Sequence, residues 1–236
     1  MPVTPTYPGV YIEEVSSGVR TITGVPTAIA AFVGRAYRGP VDEPVRVQNW
    51  GDFERAFGGL RLGYPLGNAV YDFFRNGGGE ALVVRMFVAP VEEGEEPPTE
   101  IPIPAAITHG DLTLRAVSPG SWGRNLRLRV DHDNRPTDLS WMATFGIAQA
   151  DLFNLTLRDT VSGAEERYVN LTVRESPRRV DRILGQQSGL MEATGALPGV
   201  VPAAHAEATA AVWTDDAQSA GVLPDTVVPD SAPLGT

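Results

Sequence analysis

Leu66-Gly67-Asn68-Ala69-Val70-Tyr71-Asp72-Phe73-Phe74-Arg75-Asn76-Gly77 runs through two glycines into Glu80-Ala81-Leu82-Val83-Val84-Arg85-Met86-Phe87-Val88. In the first part Leu66, Val70, Phe73 and Phe74 fall on one helical face, and Asn76 or Gly77 supplies a left-handed stop. The second part is an apolar run of strand length, which predicts a buried strand to Val88. Working upstream, Trp50, Phe53 and Phe57 recur at helical spacing before Gly58-Gly59, giving another short helix. Ala28-Ile29-Ala30-Ala31-Phe32-Val33-Gly34 predicts a second buried strand. Strand, helix, helix, strand opens an α/β domain over residues 24–88. Two buried strands do not complete a sheet, so this domain is expected to be unfinished at Val88.

Residues 1–23 read as an extended arm. Pro2, Pro5 and Pro8 disfavour helix, and Val10-Tyr11-Ile12-Glu13-Glu14-Val15 alternates as a strand does. Separated from the core by Ser16-Ser17-Gly18, such a strand needs a partner sheet in its own domain or in a neighbour. Residues 89–104 hold five glutamates and five prolines, a solvated linker. Residues 105–184 predict an antiparallel β-rich inserted domain, with strands at Leu112–Val117, Asn125–Val130, Phe153–Arg158 and Tyr168–Val173. A helix is expected from Ser176 at the N-cap and Pro177 at N1 through Leu184. Residues 185–236, rich in Ala, Pro and Gly, read as a variable insertion or linker with no strand able to finish the first sheet. The fold class is therefore α+β: arm, incomplete α/β inner domain, inserted antiparallel β-rich domain.

Composition narrows the chemistry. The 236 residues include no cysteine, which removes disulfides, thiolate metal sites and thiol nucleophiles. All 19 basic residues are arginine, so Schiff-base chemistry and a phosphate-loop lysine are impossible. A net charge of −10 argues against coating nucleic acid. No apolar run reaches membrane-spanning length, and Met1-Pro2-Val3-Thr4-Pro5 has no secretory pattern, so cytoplasmic assembly without membrane insertion is expected.

No Gly-x-Ser-x-Gly elbow or His-Glu-x-x-His helix is present, and no enzymatic activity, metal or cofactor is expected. Asp131-His132-Asp133-Asn134 fails as a calcium loop, with Pro136 and Met142 where glycine and glutamate are needed. Gly77-Gly78-Gly79 precedes a strand, the reverse of a phosphate cradle. His109, His132 and His205 lie far apart and are expected to be ordinary surface or loop residues. Trp122, between glycines, is expected to pack on the core.

The order of several strings carries more than any one of them. Tyr7-Pro8-Gly9-Val10-Tyr11-Ile12-Glu13-Glu14-Val15 leads to Ile22-Thr23-Gly24-Val25-Pro26-Thr27-Ala28 and Phe32-Val33-Gly34. Then come Arg38-Gly39-Pro40, a strand, Asp52-Phe53 with Phe57-Gly58-Gly59, and Tyr71-Asp72-Phe73-Phe74 before Asn76-Gly77-Gly78 and Val84-Arg85. Ser118-Pro119-Gly120-Ser121-Trp122-Gly123-Arg124-Asn125 and Glu175-Ser176-Pro177-Arg178 follow. Over about residues 5–185 this succession resembles contractile phage-type tail sheath proteins.

The resemblance implies a structural subunit that stacks helically around an inner tube, linked by arms that add strands to sheets of neighbouring copies. Contraction then drives the tube through a target envelope. Carried onto this chain, Tyr7, Pro8, Gly9, Val10, Tyr11, Ile12, Glu13, Glu14 and Val15 form the interface arm. Partners would be further copies, the inner tube protein, and baseplate and terminator proteins, in a phage tail, a bacteriocin or an injection particle. The family's C-terminal half, which completes the inner domain, has no counterpart here. A sheath-like baseplate or terminator component is the alternative. A glycan-binding or hydrolytic tail protein is a third reading, with Asp131 and Asp133 as its candidate carboxylates.

Overall fold

The computed structural model describes residues 29–88, 104–133, 135–137, 139–214 and 218–221. Two bodies of secondary structure follow one another along the chain. The first holds β1 (Ala30–Gly34), β2 (Pro44–Val47), α1 (Trp50–Phe57), α2 (Pro65–Arg75) and β3 (Ala81–Arg85). Its sheet has the order β1-β3-β2, with β1 parallel to β3 and β2 antiparallel to it. Phe32 aligns with Val83, and Val45 with Val83 from the other side.

Helix α1 begins at Asn49, whose side chain accepts from the Asp52 amide at 2.9 Å. It closes at Gly58, whose amide returns to the Glu54 carbonyl at 3.0 Å. Helix α2 starts on Pro65, where a missing N–H costs nothing. Of its two candidate stops, Gly77 takes the left-handed conformation, with φ 91°, while Asn76 stays at φ −89°. Phe53, Phe57, Leu66 and Val70 from the helices pack on Val47, Ala81 and Val83 of the sheet.

Two expectations for this body change. β3 ends at Arg85 rather than Val88. The Arg85 side chain turns inward to hydrogen-bond loop carbonyls, and the strand pairing stops there. Nor is β1 buried on both faces: Ile29 is 57% exposed and Val33 61% exposed. Among the described residues, helices cover one side of the sheet, so alternate residues of an apolar strand face away from them.

The second body contains β4 (Ala106–His109), β5 (Leu112–Ala116), β6 (Leu126–Asp131), α3 (Ser140–Phe145), β7 (Phe153–Asp159), β8 (Glu165–Leu171), α4 (Val180–Gln187), β9 (Met191–Ala193) and β10 (Ala220–Gly221). One sheet runs β10-β6-β7-β8 and another β4-β5-β9, with antiparallel pairing throughout. Leu112, Leu114, Trp122, Leu126, Leu128, Phe153, Leu155, Leu157, Val180 and Leu184 share one core. Trp122 is fully buried there, its indole N–H donating to the Ser118 carbonyl at 3.1 Å.

The β-rich reading of this region holds at the level of a mixed α+β fold with several antiparallel sheets. Details move. Asn125 belongs to a 3-10 turn, Ser121–Asn125, that precedes β6. The last helix begins at Val180, three residues after the expected Pro177. Ser176 instead accepts from the Arg178 amide in a turn, and the Arg179 amide bonds the Ser176 carbonyl. Beyond Gly185 the short strands β9 and β10 join the second body's sheets.

Leu155 lies fully buried in the second core, so Leu155→Ala should lower unfolding free energy by about 2–5 kcal/mol. Leu62→Ala, at a fully exposed side chain, should change it by less than about 0.5 kcal/mol. Urea unfolding of both variants checks the pair, and equal effects would overturn the assigned core.

Candidate functional site

Among the described residues, nothing covers one apolar face of the first sheet. Ile29, Val33 and Leu82 are exposed on the side away from α1 and α2, and the outer edge of β1 has no strand beside it among the described residues. Beside that edge a groove of ≈ 510 Å³ is lined by Phe32, Val33, Gly34, Pro65, Leu66 and Ala69. An open edge offers unpaired amides and carbonyls, and the groove offers apolar seats for alternate side chains. Chemically, an edge and groove of this kind can receive an added strand.

Beneath the sheet, strings far apart in sequence meet at one buried point. Arg85, 1% exposed, donates from Nε to the Ala36 carbonyl at 3.0 Å, from Nη1 to Gly39 at 2.7 Å, and from Nη2 to Pro119 at 2.8 Å. The Gly39 amide donates to Ser118 Oγ at 3.0 Å. Asn125 Nδ2 donates to the Tyr37 hydroxyl at 3.1 Å, and the Arg38 guanidinium lies 5.8 Å from the Trp122 ring. Gly39 has φ 111°, and a Cβ there would stand 2.7 Å from Phe57 Cδ1 and 2.8 Å from the Ala56 carbonyl oxygen. Only glycine lets this loop approach the end of α1 so closely.

Burial sets the electrostatics of the junction. It raises the Tyr37 hydroxyl pKa above its ordinary value, with Asp159 adding to the effect. It lowers that of the Arg38 guanidinium, which Asp159 and Glu166 partly offset. A cleft of ≈ 560 Å³ opens between the bodies here, lined by Tyr37, Arg38, Trp50, Arg55, Arg61 and Asp159. Its cations are already engaged in part: Arg38 donates to the Arg55 carbonyl, and Arg61 lies 4.8 Å from the Tyr37 ring centre.

The residues expected to form the interface arm, Tyr7 to Val15, lie outside the described residues. The candidate carboxylates do not form a free pair. Asp131 Oδ1 accepts from the Asp133 amide at 3.0 Å and from Asn154 Nδ2 at 2.6 Å, and Oδ2 faces Arg167 Nη2 at 3.2 Å. Asp131 is thus occupied in holding a turn and two strands, while Asp133 is exposed. Among the described residues, no group of three or more histidines and acidic residues is placed to hold a metal ion. No described helix is long and apolar enough to cross a membrane.

The histidines depart from expectation. His205 is buried, and its ring stacks on His109 at 4.1 Å between centres. His109 and His132 reach the carbonyls of Ala203 and Pro202, so all three converge on one segment. Sequence separation gave no hint of this, because the segment that carries His205 reaches back across β4 and the end of β6 from far along the chain. The Arg85 junction was also missed as a unit, although each of its strings stood out alone.

No protein-family model and no curated protein matches the chain. Among solved structures, the chain is similar to a sheath tail protein from Listeria innocua, at 14% identity and a TM-score of 0.47, over 86% of this chain and 34% of that one. It is similar also to a sheath tail protein from Desulfitobacterium hafniense, at 14% identity and a TM-score of 0.45, over 93% of this chain and 40% of that one. The chain spans well under half the length of either protein.

Arg85→Met should destabilise the protein by about 3–5 kcal/mol, because three buried carbonyls lose their donor together. Arg85→Lys should recover only part of that, since a single ammonium does not reproduce the planar fork. Urea unfolding reads both. A loss under about 1 kcal/mol for the Met variant would show that the junction carries little of the stability.

Proposed function

We propose that the chain is a structural subunit of a contractile tail sheath. Copies polymerise helically around an inner tube by adding strands to one another's sheets, and contraction drives the tube through a target envelope. The observation that carries this reading is that, among the described residues, the sheet is half-covered, with an apolar outer face at Ile29, Val33 and Leu82 and an open edge at β1. Each exposed aliphatic side chain forgoes on the order of 1.5–3 kcal/mol that burial would return.

The ordered strings of the sequence support the same reading. Arg38-Gly39-Pro40, Val84-Arg85 and Ser118–Asn125, quoted separately for their likeness to sheath proteins, meet at the Arg85 junction. A rigid junction suits a subunit that must move as a block when the array rearranges. The arm Tyr7–Val15 would supply the strand that a neighbouring copy receives. The remaining partners would be the inner tube, the baseplate and the terminator, within a phage tail or a related particle assembled in the bacterial cytoplasm.

Removing residues 2–15 from the gene product should leave its folded bodies intact and abolish polymerisation. Val33→Asp should weaken polymerisation in the same direction by placing a charge on the receiving edge. Sedimentation velocity, with circular dichroism as the folding control, separates the outcomes. Polymers persisting unchanged in the deletion variant would rule out the arm.

A further inference from the structure

The three histidines of the chain sit in one place and do different work. Segment 201–214 crosses the edge of β6 just past the reach of β10, which pairs only with Arg127 and Leu128. At the next outward-facing position, His205 takes over as the partner. Its backbone amide donates to the Val130 carbonyl at 3.0 Å, and its ring Nδ1 accepts from the Val130 amide at 3.0 Å. One residue thereby supplies both halves of a strand pairing, using an imidazole nitrogen where a backbone carbonyl would stand.

That bond fixes the ring's state. Nδ1 accepts only when it carries no proton, so the ring is neutral with its hydrogen on Nε2. The Nε2–H is buried and finds no acceptor among the described residues. His109 and His132 are under no such constraint. Each presents Nε2 to a carbonyl, Ala203 at 2.7 Å and Pro202 at 2.9 Å, and a donor there serves in either protonation state.

We propose that His205, seated by His109 and His132, is an acid-sensitive latch that holds segment 201–214 on β6 and releases it when the His205 ring is protonated. Protonation removes the acceptor for the Val130 amide and places a cation against the stacked His109 ring, 4.1 Å away. The backbone hydrogen bond with Val130 on β6 raises the His205 pKa, while the charged groups packed against the ring oppose an imidazolium or leave it unrelieved. His109 faces it from β4 and Arg129 from β6, both disfavouring an imidazolium. Within the segment, Glu207 accepts from Gln218 Nε2. On β6, Asp131 is held by Asn154 and Arg167.

Burial, with His109 and Arg129, lowers the His205 pKa from 6.5 to about 4. A group held below its unlatched value stabilises the closed form above that value and loses the contribution as pH falls. Release therefore proceeds as pH drops from 6.5 towards about 4. Linkage between those two values gives an increase of about 30-fold in the opening equilibrium from pH 7.5 to pH 5. Arg129 holds the far end of the segment, through the Ala210 and Val212 carbonyls at 3.0 and 2.7 Å and through Trp213 at 3.9 Å from its guanidinium. The fixed positive charge of that anchor does not change over this range, so release begins at the His205 end.

Hydrogen exchange of the full-length protein tests the latch, with rates corrected for intrinsic chemistry and α2 as the internal control. Amides of 201–210 should open about 30-fold more readily at pH 5 than at pH 7.5, while α2 stays unchanged. In His205→Asn, which keeps an oxygen acceptor but cannot titrate, that ratio should fall to near one. In His109→Gln, which removes the stacked ring, it should be smaller than in the wild type. Equal wild-type opening at the two pH values overturns the proposal. So does a full pH response in His205→Asn, or an undiminished one in His109→Gln should the Asn variant fail to dock the segment.

Discussion

A buried guanidinium with three carbonyl partners ties the end of the first sheet to the second body. Arg85 stands at the end of β3, where the first sheet stops, and binds the turn after β1 to the Pro119 carbonyl of the second body. Desolvating an arginine costs several kcal/mol, and that cost is recovered only if every donor direction is met with good geometry. The requirement places strict demands on its surroundings. Gly39 must lack a side chain to bring its carbonyl within 2.7 Å, and Ser118 must hold the Gly39 amide so that the loop keeps its shape. Trp122 then closes the second core directly behind the contact. The cation serves as a spacer of fixed geometry between two bodies that otherwise have separate hydrophobic cores.

Those cores differ in how completely they close. In the second body, two sheets face one another across Leu114, Leu128, Phe153 and Leu155, with α4 sealing one side. Among the described residues, the first body has one layer of helices on one side of a three-stranded sheet and exposed apolar residues on the other. The Arg85 hydrogen bonds join the half-covered body to the closed one.

How much of this could be read in the sequence depended on the range of the interaction responsible. Helix α1 was legible because Trp50, Phe53 and Phe57 mark a face and Gly58 ends it, all within ten residues. The antiparallel strands β5, β6, β7 and β8 were legible from apolar alternation between turn residues. The short strands β9 and β10 were not, since their pairing is decided by neighbours far along the chain. The Gly110-Asp111 turn between His109 and Leu112 was a local hairpin signal for β4 that went unused. Ser176-Pro177 carried a helix-start pattern, but Ser176 was drawn into a buried turn and the helix waited for Val180. The function-bearing geometry was the least legible. An apolar run such as Ala30–Gly34 reads as buried whether or not a second layer covers it. The histidine cluster left no sequence trace at all.

The central claim is that the bare face of the first sheet is covered by another copy in a helical array. A helical reconstruction by electron microscopy of particles formed by the gene product, expressed with its neighbouring genes, tests this most directly. The account predicts hollow cylinders in which a strand from another copy lies along β1 and covers Ile29 and Val33. Discrete small oligomers, or cylinders in which that edge and face remain in solvent, would contradict it.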